Sequence, residues 1–132
     1  MFLVKNNRKS FTLVEILIVV AIIALLAAVA IPNLLRAKVT ANQSSAQATL
    51  KAVANALETY AISNGVYPPV TTSLIGAAPP YLSKDYFSAS FNGYNFTATI
   101  SDYTYTLMAV PASSSQGTES YSITTGGVLT TN

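Results

Sequence analysis

The sequence predicts an α+β fold in which one long N-terminal helix, about residues 11–63, packs on a small antiparallel sheet of three to four strands. Three observations carry that prediction. Residues 11–31 are apolar almost without interruption. Apolar residues then recur at helical spacing on one face, at Ala46, Leu50, Val53, Leu57 and Tyr60. From Phe87 onward the apolar period falls to two, as at Tyr94, Phe96, Ala98 and Ile100, the spacing of a half-buried strand. The helical stripe and the apolar sheet face are both unpartnered, and packing one on the other makes the sizeable core this chain can build.

Taken in order, residues 1–10 are short, polar and basic, with Lys5, Arg8 and Lys9. Positive charge ahead of an apolar run holds that end in the cytoplasm. The run 11–31 is about 21 residues, roughly 32 Å as a helix, which matches a hydrocarbon core of about 30 Å. Its polar residues are Thr12 and Glu15. A carboxylate at the centre of a bilayer costs roughly 2.5–3.5 kcal/mol, so Glu15 calls for a partner. Pro32 lacks a backbone donor and crowds the preceding turn, which predicts a kink or local melting of the helix there. No Gly or Pro interrupts residues 33–63, and Asn64-Gly65 supplies a stop. The expected organisation is thus a leader at 1–10, an apolar helix at 11–32, an amphipathic continuation at 33–63 and a globular head at 64–132.

In the head, Pro68-Pro69 and Pro79-Pro80 mark residues 65–82 as a loop, with Leu74, Ile75, Tyr81 and Leu82 expected to pin it to the core. Asn92-Gly93 is a hairpin signal. Tyr94, Phe96, Ala98 and Ile100 then alternate with polar residues, and Ser101-Asp102 turns the chain. Tyr103, Tyr105, Leu107 and Ala109 form the next apolar row, followed by a Ser-rich loop. Tyr121 and Ile123 make a third strand, and Gly126-Gly127 leads into residues 128–130.

The residue inventory points away from catalysis. Without His or Cys there is no imidazole base, thiolate, disulfide or zinc site of the usual kind. Asp85, Asp102 and Glu119 are scattered, so neither a carboxylate pair nor a calcium cage is expected, and no Gly-rich loop offers a phosphate cradle. No metal and no cofactor is expected. Of seven basic residues, three precede Phe11; the other four, Arg36, Lys38, Lys51 and Lys84, are dispersed and face five acidic ones. That is no nucleic-acid footprint.

The N-terminal segment alone admits several readings. One is a plain transmembrane anchor bearing a monomeric binding module. Another is a secretory signal cut after Ala28-Val29-Ala30, although the apolar run exceeds the usual 7–15 residues or so and contains Glu15. A third rests on the stretch Phe11-Thr12-Leu13-Val14-Glu15, placed after a short basic leader and before a long apolar helix. It resembles the processing signal of type IV pilins and type II secretion pseudopilins. Helix, Pro-containing loop and closing strands resemble the small head of that family as well.

The resemblance implies cleavage between Ser10 and Phe11 by a membrane prepilin peptidase, which then N-methylates Phe11. The apolar helix is retained. Glu15 falls where the family carries its Glu and Pro32 where many members carry a Pro; Ser10 stands where the family usually has Gly. By the same resemblance Glu15 accepts the charged amine of Phe11 on a neighbouring subunit, and residues 24–31 unwind in the filament. The implied function is a structural subunit of a helical homopolymer, either a type IV pilus or the pseudopilus of a type II secretion system. Its implied partners are an inner-membrane assembly platform and ATPase. It resides in the bacterial inner membrane, head outside the cytoplasm, before assembly into a surface pilus or periplasmic pseudopilus.

Overall fold

Leu13–Asn64 forms a single helix, α1, that runs through Pro32 with helical backbone on both sides. The structure is a computed structural model describing residues 1, 2 and 10–132; the leader residues Lys5, Arg8 and Lys9 lie outside the described residues. The helix ends where expected. Gly65 adopts φ +82°, open to a residue without Cβ, and its N–H donates to the Ala61 carbonyl at 2.7 Å. The chain resolves into two compact units, Met1–Leu35 and Arg36–Asn132.

In the second unit, four strands follow α1: β1 (Tyr94–Ile100), β2 (Tyr105–Pro111), β3 (Tyr121–Thr124) and β4 (Val128–Thr131). They form an antiparallel meander in the order β1-β2-β3-β4. Asn92-Gly93 makes the expected tight turn, with both residues at positive φ and Phe91 bridged to Tyr94. The helical stripe and the sheet face meet as predicted. Ala46, Leu50, Val53 and Leu57 are buried against Tyr94, Phe96, Tyr105, Leu107, Ala109, Tyr121 and Ile123, with Tyr60 half-buried at the margin. Burying one such Leu or Ile contributes roughly 1.5–3 kcal/mol. The long helix on a four-stranded antiparallel sheet is the predicted α+β arrangement.

Two details depart from the sequence reading. Residues 65–82 contain a one-turn helix, α2 (Ser73–Gly76), held between the two Pro pairs. It drives Leu74 fully into the core, and the Leu74 carbonyl accepts from the N–H groups of both Tyr81 and Leu82. Tyr103, expected on the apolar row of β2, instead stands in the β1–β2 turn and is 76% exposed. The bond from Ser101 N–H to the Thr104 carbonyl closes that turn one step later than Ser101-Asp102 alone would, so β2 starts at Tyr105.

Polar side chains fasten α1 to the loops at the end where it enters this unit. Asn42 donates to the Gln116 carbonyl (2.9 Å), Gln43 to Thr118 (2.9 Å) and Asn92 to Ser45 (2.7 Å). Four tyrosine hydroxyls are tied down within the head. Glu58 accepts from Tyr67 and Tyr105, the Glu119 carbonyl from Tyr94, and the Glu119 carboxylate from Tyr121. Burial foremost pushes the ionisation of all four phenols up from 10.0, and neighbouring carboxylates add to the shift for Tyr67 and Tyr105. In the unfolded chain the same phenols ionise near pH 10. Their contribution to stability is therefore complete below pH 10 and is lost as pH rises above it. Thermal melts of the full chain in detergent should show a midpoint that falls steadily above pH 10, less steeply for Tyr105→Phe. An equal alkaline slope in both proteins counts against this assignment.

Candidate functional site

The candidate site is the N-terminal segment of the first unit. Ser10 and Phe11 precede α1, and both are exposed, Phe11 to 80%. The helix begins at Leu13 because Thr12 and Glu15 cap it reciprocally. The Thr12 N–H and hydroxyl both donate to Glu15 Oε2, at 2.7 and 2.9 Å, and the Glu15 N–H donates to Thr12 Oγ1 at 3.2 Å. This is a capping box, which satisfies free helix N–H groups at both ends of a Thr-x-x-Glu step. The sequence reading singled out Glu15 but missed Thr12 as its partner, although the spacing Thr12-Leu13-Val14-Glu15 is a legible sign of one. Both Thr12 donors reach Oε2, and among the described residues none reaches Oε1.

Beyond the cap the helix is apolar all round. From Phe11 to Leu35, sixteen large apolar side chains are exposed, among them Leu13, Leu25, Leu26, Val29 and Leu34 at 66–79%. Removing them from water is worth tens of kcal/mol at about 25 cal/mol per Å². Such a surface is stable in a bilayer or against other apolar helices. One helix in the described residues is long and apolar enough to cross a membrane, and its apolar window is wholly unburied.

The head offers no rival site. Among the described residues no three His, Cys, Asp or Glu side chains gather. A groove of about 560 Å³ lies between α1 and residues 77–81, lined by Ala52, Asn55, Thr59 and Ser63. The hydroxyls there turn back on their own helix, Thr59 to the Asn55 carbonyl and Ser63 to the Thr59 carbonyl, and no charged group lines the groove.

Comparison with known proteins gives three kinds of match. The prokaryotic N-terminal methylation motif matches residues 5–31. The type IV wide pilus major component PilA4 of Thermus thermophilus is 41% identical over 110 residues, 80% of this chain and 84% of that protein. Core protein G of the Vibrio cholerae type II secretion system is 42% identical over 72 residues, 53% of this chain and 49% of that protein. The type IV major pilin protein PilA of Myxococcus xanthus is 41% identical over 73 residues, 55% of this chain and 33% of its own.

Proposed function

The chain belongs to the family of type IV pilins and type II secretion pseudopilins, and from that membership we propose that it is the structural subunit of a type IV pilus-like filament. The observation that carries this reading is the exposed, all-round apolar half of α1, closed at its start by Glu15. A prepilin peptidase cuts between Ser10 and Phe11 and methylates the Phe11 amine. Before assembly, residues 11–31 anchor the subunit in the inner membrane with the head outside the cytoplasm. An assembly platform and its ATPase then extract subunits, and the apolar helices bury one another in the filament core. Residues 24–31, ahead of Pro32, unwind as they do so. Glu15 receives the Phe11 amine of a neighbour. The role is structural, with no catalysis and no cofactor.

A pilus is preferred because the similarity to the Thermus pilus component spans most of both chains, whereas the similarity to core protein G covers about half. The second reading, a pseudopilus subunit, is favoured by the 42% identity within that half. Two measurements test the proposal. Mass spectrometry of the mature protein should find N-methyl-Phe11 at its start; an intact Met1 or a start at Ile31 would defeat the processing scheme. A deletion strain should lose surface filaments while secretion continues. Loss of secretion with surface filaments retained would move the protein to the pseudopilus.

A further inference from the structure

The acidic groups of this chain are few, and most are engaged. Glu15 is bonded by Thr12, Glu58 by Tyr67 and Tyr105, Asp85 by the Phe87 N–H, and Glu119 by Tyr121. Asp102 differs. It is exposed in the β1–β2 turn, and among the described residues its carboxylate receives no donor of this kind. Its place is fixed by its own carbonyl, which accepts from the Tyr67 N–H at 3.0 Å. That puts the turn at the end of the head where α1 finishes, with the exposed ring of Tyr103 beside it.

The opposite end of the same unit carries two exposed cations, near a single carboxylate, Glu119, which accepts from Tyr121. There α1 enters past Arg36 and Lys38, both exposed, just before Asn42 and Ser45 bond the loops at residues 116 and 92. The other two cations of this unit lie elsewhere: Lys51 is farther along α1, and Lys84 stands over the Phe91 ring at 4.1 Å.

We propose that Asp102 and Tyr103 of one copy dock on Arg36 and Lys38 of another copy along the filament. This head-to-tail contact rests on the filament reading above. The occupant is a second copy because each copy carries one half of the pair at each end. A contact between two different patches does not close on itself and propagates into a polymer. The Arg36 guanidinium can receive the Asp102 carboxylate through two parallel bonds and lie against the Tyr103 ring, which a lysine does less well. Asp102 is level with the end of α1, about seven helical turns from Lys38, so the paired copies must be offset by roughly 40 Å along the helix axis. An exposed charge pair holds weakly in isolation, but complementary charge fixes register and disfavours misaligned docking, and here it repeats at every subunit.

The test uses the full chain in the assembling cell. Asp102→Arg should lower the yield of sheared filaments at least fivefold while processed subunit accumulates normally. Arg36→Asp with Lys38→Asp should do the same, and all three changes together should restore most of the yield. The chain has no cysteine, which allows a measurement independent of yield. With Asp102→Cys and Lys38→Cys in one chain, a short bis-maleimide applied to filaments should give a ladder of covalent oligomers, and either single variant should give none. Wild-type yield from Asp102→Arg, a missing ladder, or dimers from Asp102→Cys alone would overturn the contact while leaving the filament reading intact. Absence of filaments from the wild-type chain itself overturns both.

Discussion

Replacing Glu15 with Val is expected to leave cleavage before Phe11 intact and to abolish filaments, and Glu15→Gln is expected to do the same. The two variants separate the two tasks of this side chain. Within one chain Glu15 Oε2 caps α1 by accepting from Thr12. Glutamine retains an acceptor at that position, so the capping box survives and α1 starts in the same place. Between chains the proposed task is to neutralise the Phe11 amine in an apolar surround, and for that a neutral amide does not serve. Breaking a buried charge pair by removing one partner costs about 3–5 kcal/mol. That corresponds to a weakening of subunit addition by two to nearly four orders of magnitude. The readouts are the mature N-terminus by mass spectrometry and the subunit content of the sheared surface fraction. Full filament yield from Glu15→Gln would give Glu15 a capping role alone, and unprocessed Glu15→Val would show that the residue serves the peptidase.

The fold was legible because its two periodicities are strong and do not overlap. Ala46, Leu50, Val53 and Leu57 could share only one helical face, and Tyr94, Phe96, Tyr105 and Leu107 only one sheet face. Punctuation was legible as well, since Asn64-Gly65 and Asn92-Gly93 both adopt the backbone their residue types favour. Tyr103 was misplaced because alternation gives a row's period and not its first residue; the Ser101–Thr104 bond decides that, and it has no signature in the pattern. The short α2 escaped notice because a single turn between Pro pairs is too brief to show a period.

At the site, Glu15 was legible through its cost in an apolar run, while Thr12 read as a tolerated polar residue. Its capping role was written in the Thr-x-x-Glu spacing, and the start of α1 at Leu13, one residue later, makes it plain. The partners of Glu58 and Glu119 were beyond reach for a different reason. Each tyrosine that finds them belongs to a strand or loop whose position follows from the assembled core.

Gly117→Ala is expected to destabilise the head by about 3 kcal/mol, although it adds one methyl group. Gly117 is buried in the loop between β2 and β3. A Cβ there would overlap the Tyr94 hydroxyl and lie 2.6 Å from Cζ and 2.8 Å from Cε2 of the same ring. Tyr94 has little freedom to retreat. It is fully buried, its hydroxyl donates to the Glu119 carbonyl at 2.9 Å, and its ring sits 6.2 Å from that of Tyr121. Forcing an extra carbon into a packed core costs about 1–3 kcal/mol, and displacing the hydroxyl from its acceptor adds about 1 kcal/mol. In a head of this size the melting midpoint should fall by roughly 10–20 °C. Gly76→Ala is the control, because a Cβ there meets nothing within 4 Å; it should shift the midpoint by no more than a few degrees. Tyr94→Leu removes the three atoms that Gly117→Ala would strike. Although Tyr94→Leu is itself destabilising, Gly117→Ala should cost at least about 1 kcal/mol less in that background. Melts of the full chain in detergent supply all four corners of the cycle. Additive losses would mean that the loop at residue 117 yields instead of the ring, and that Gly117 is not there to make room for Tyr94.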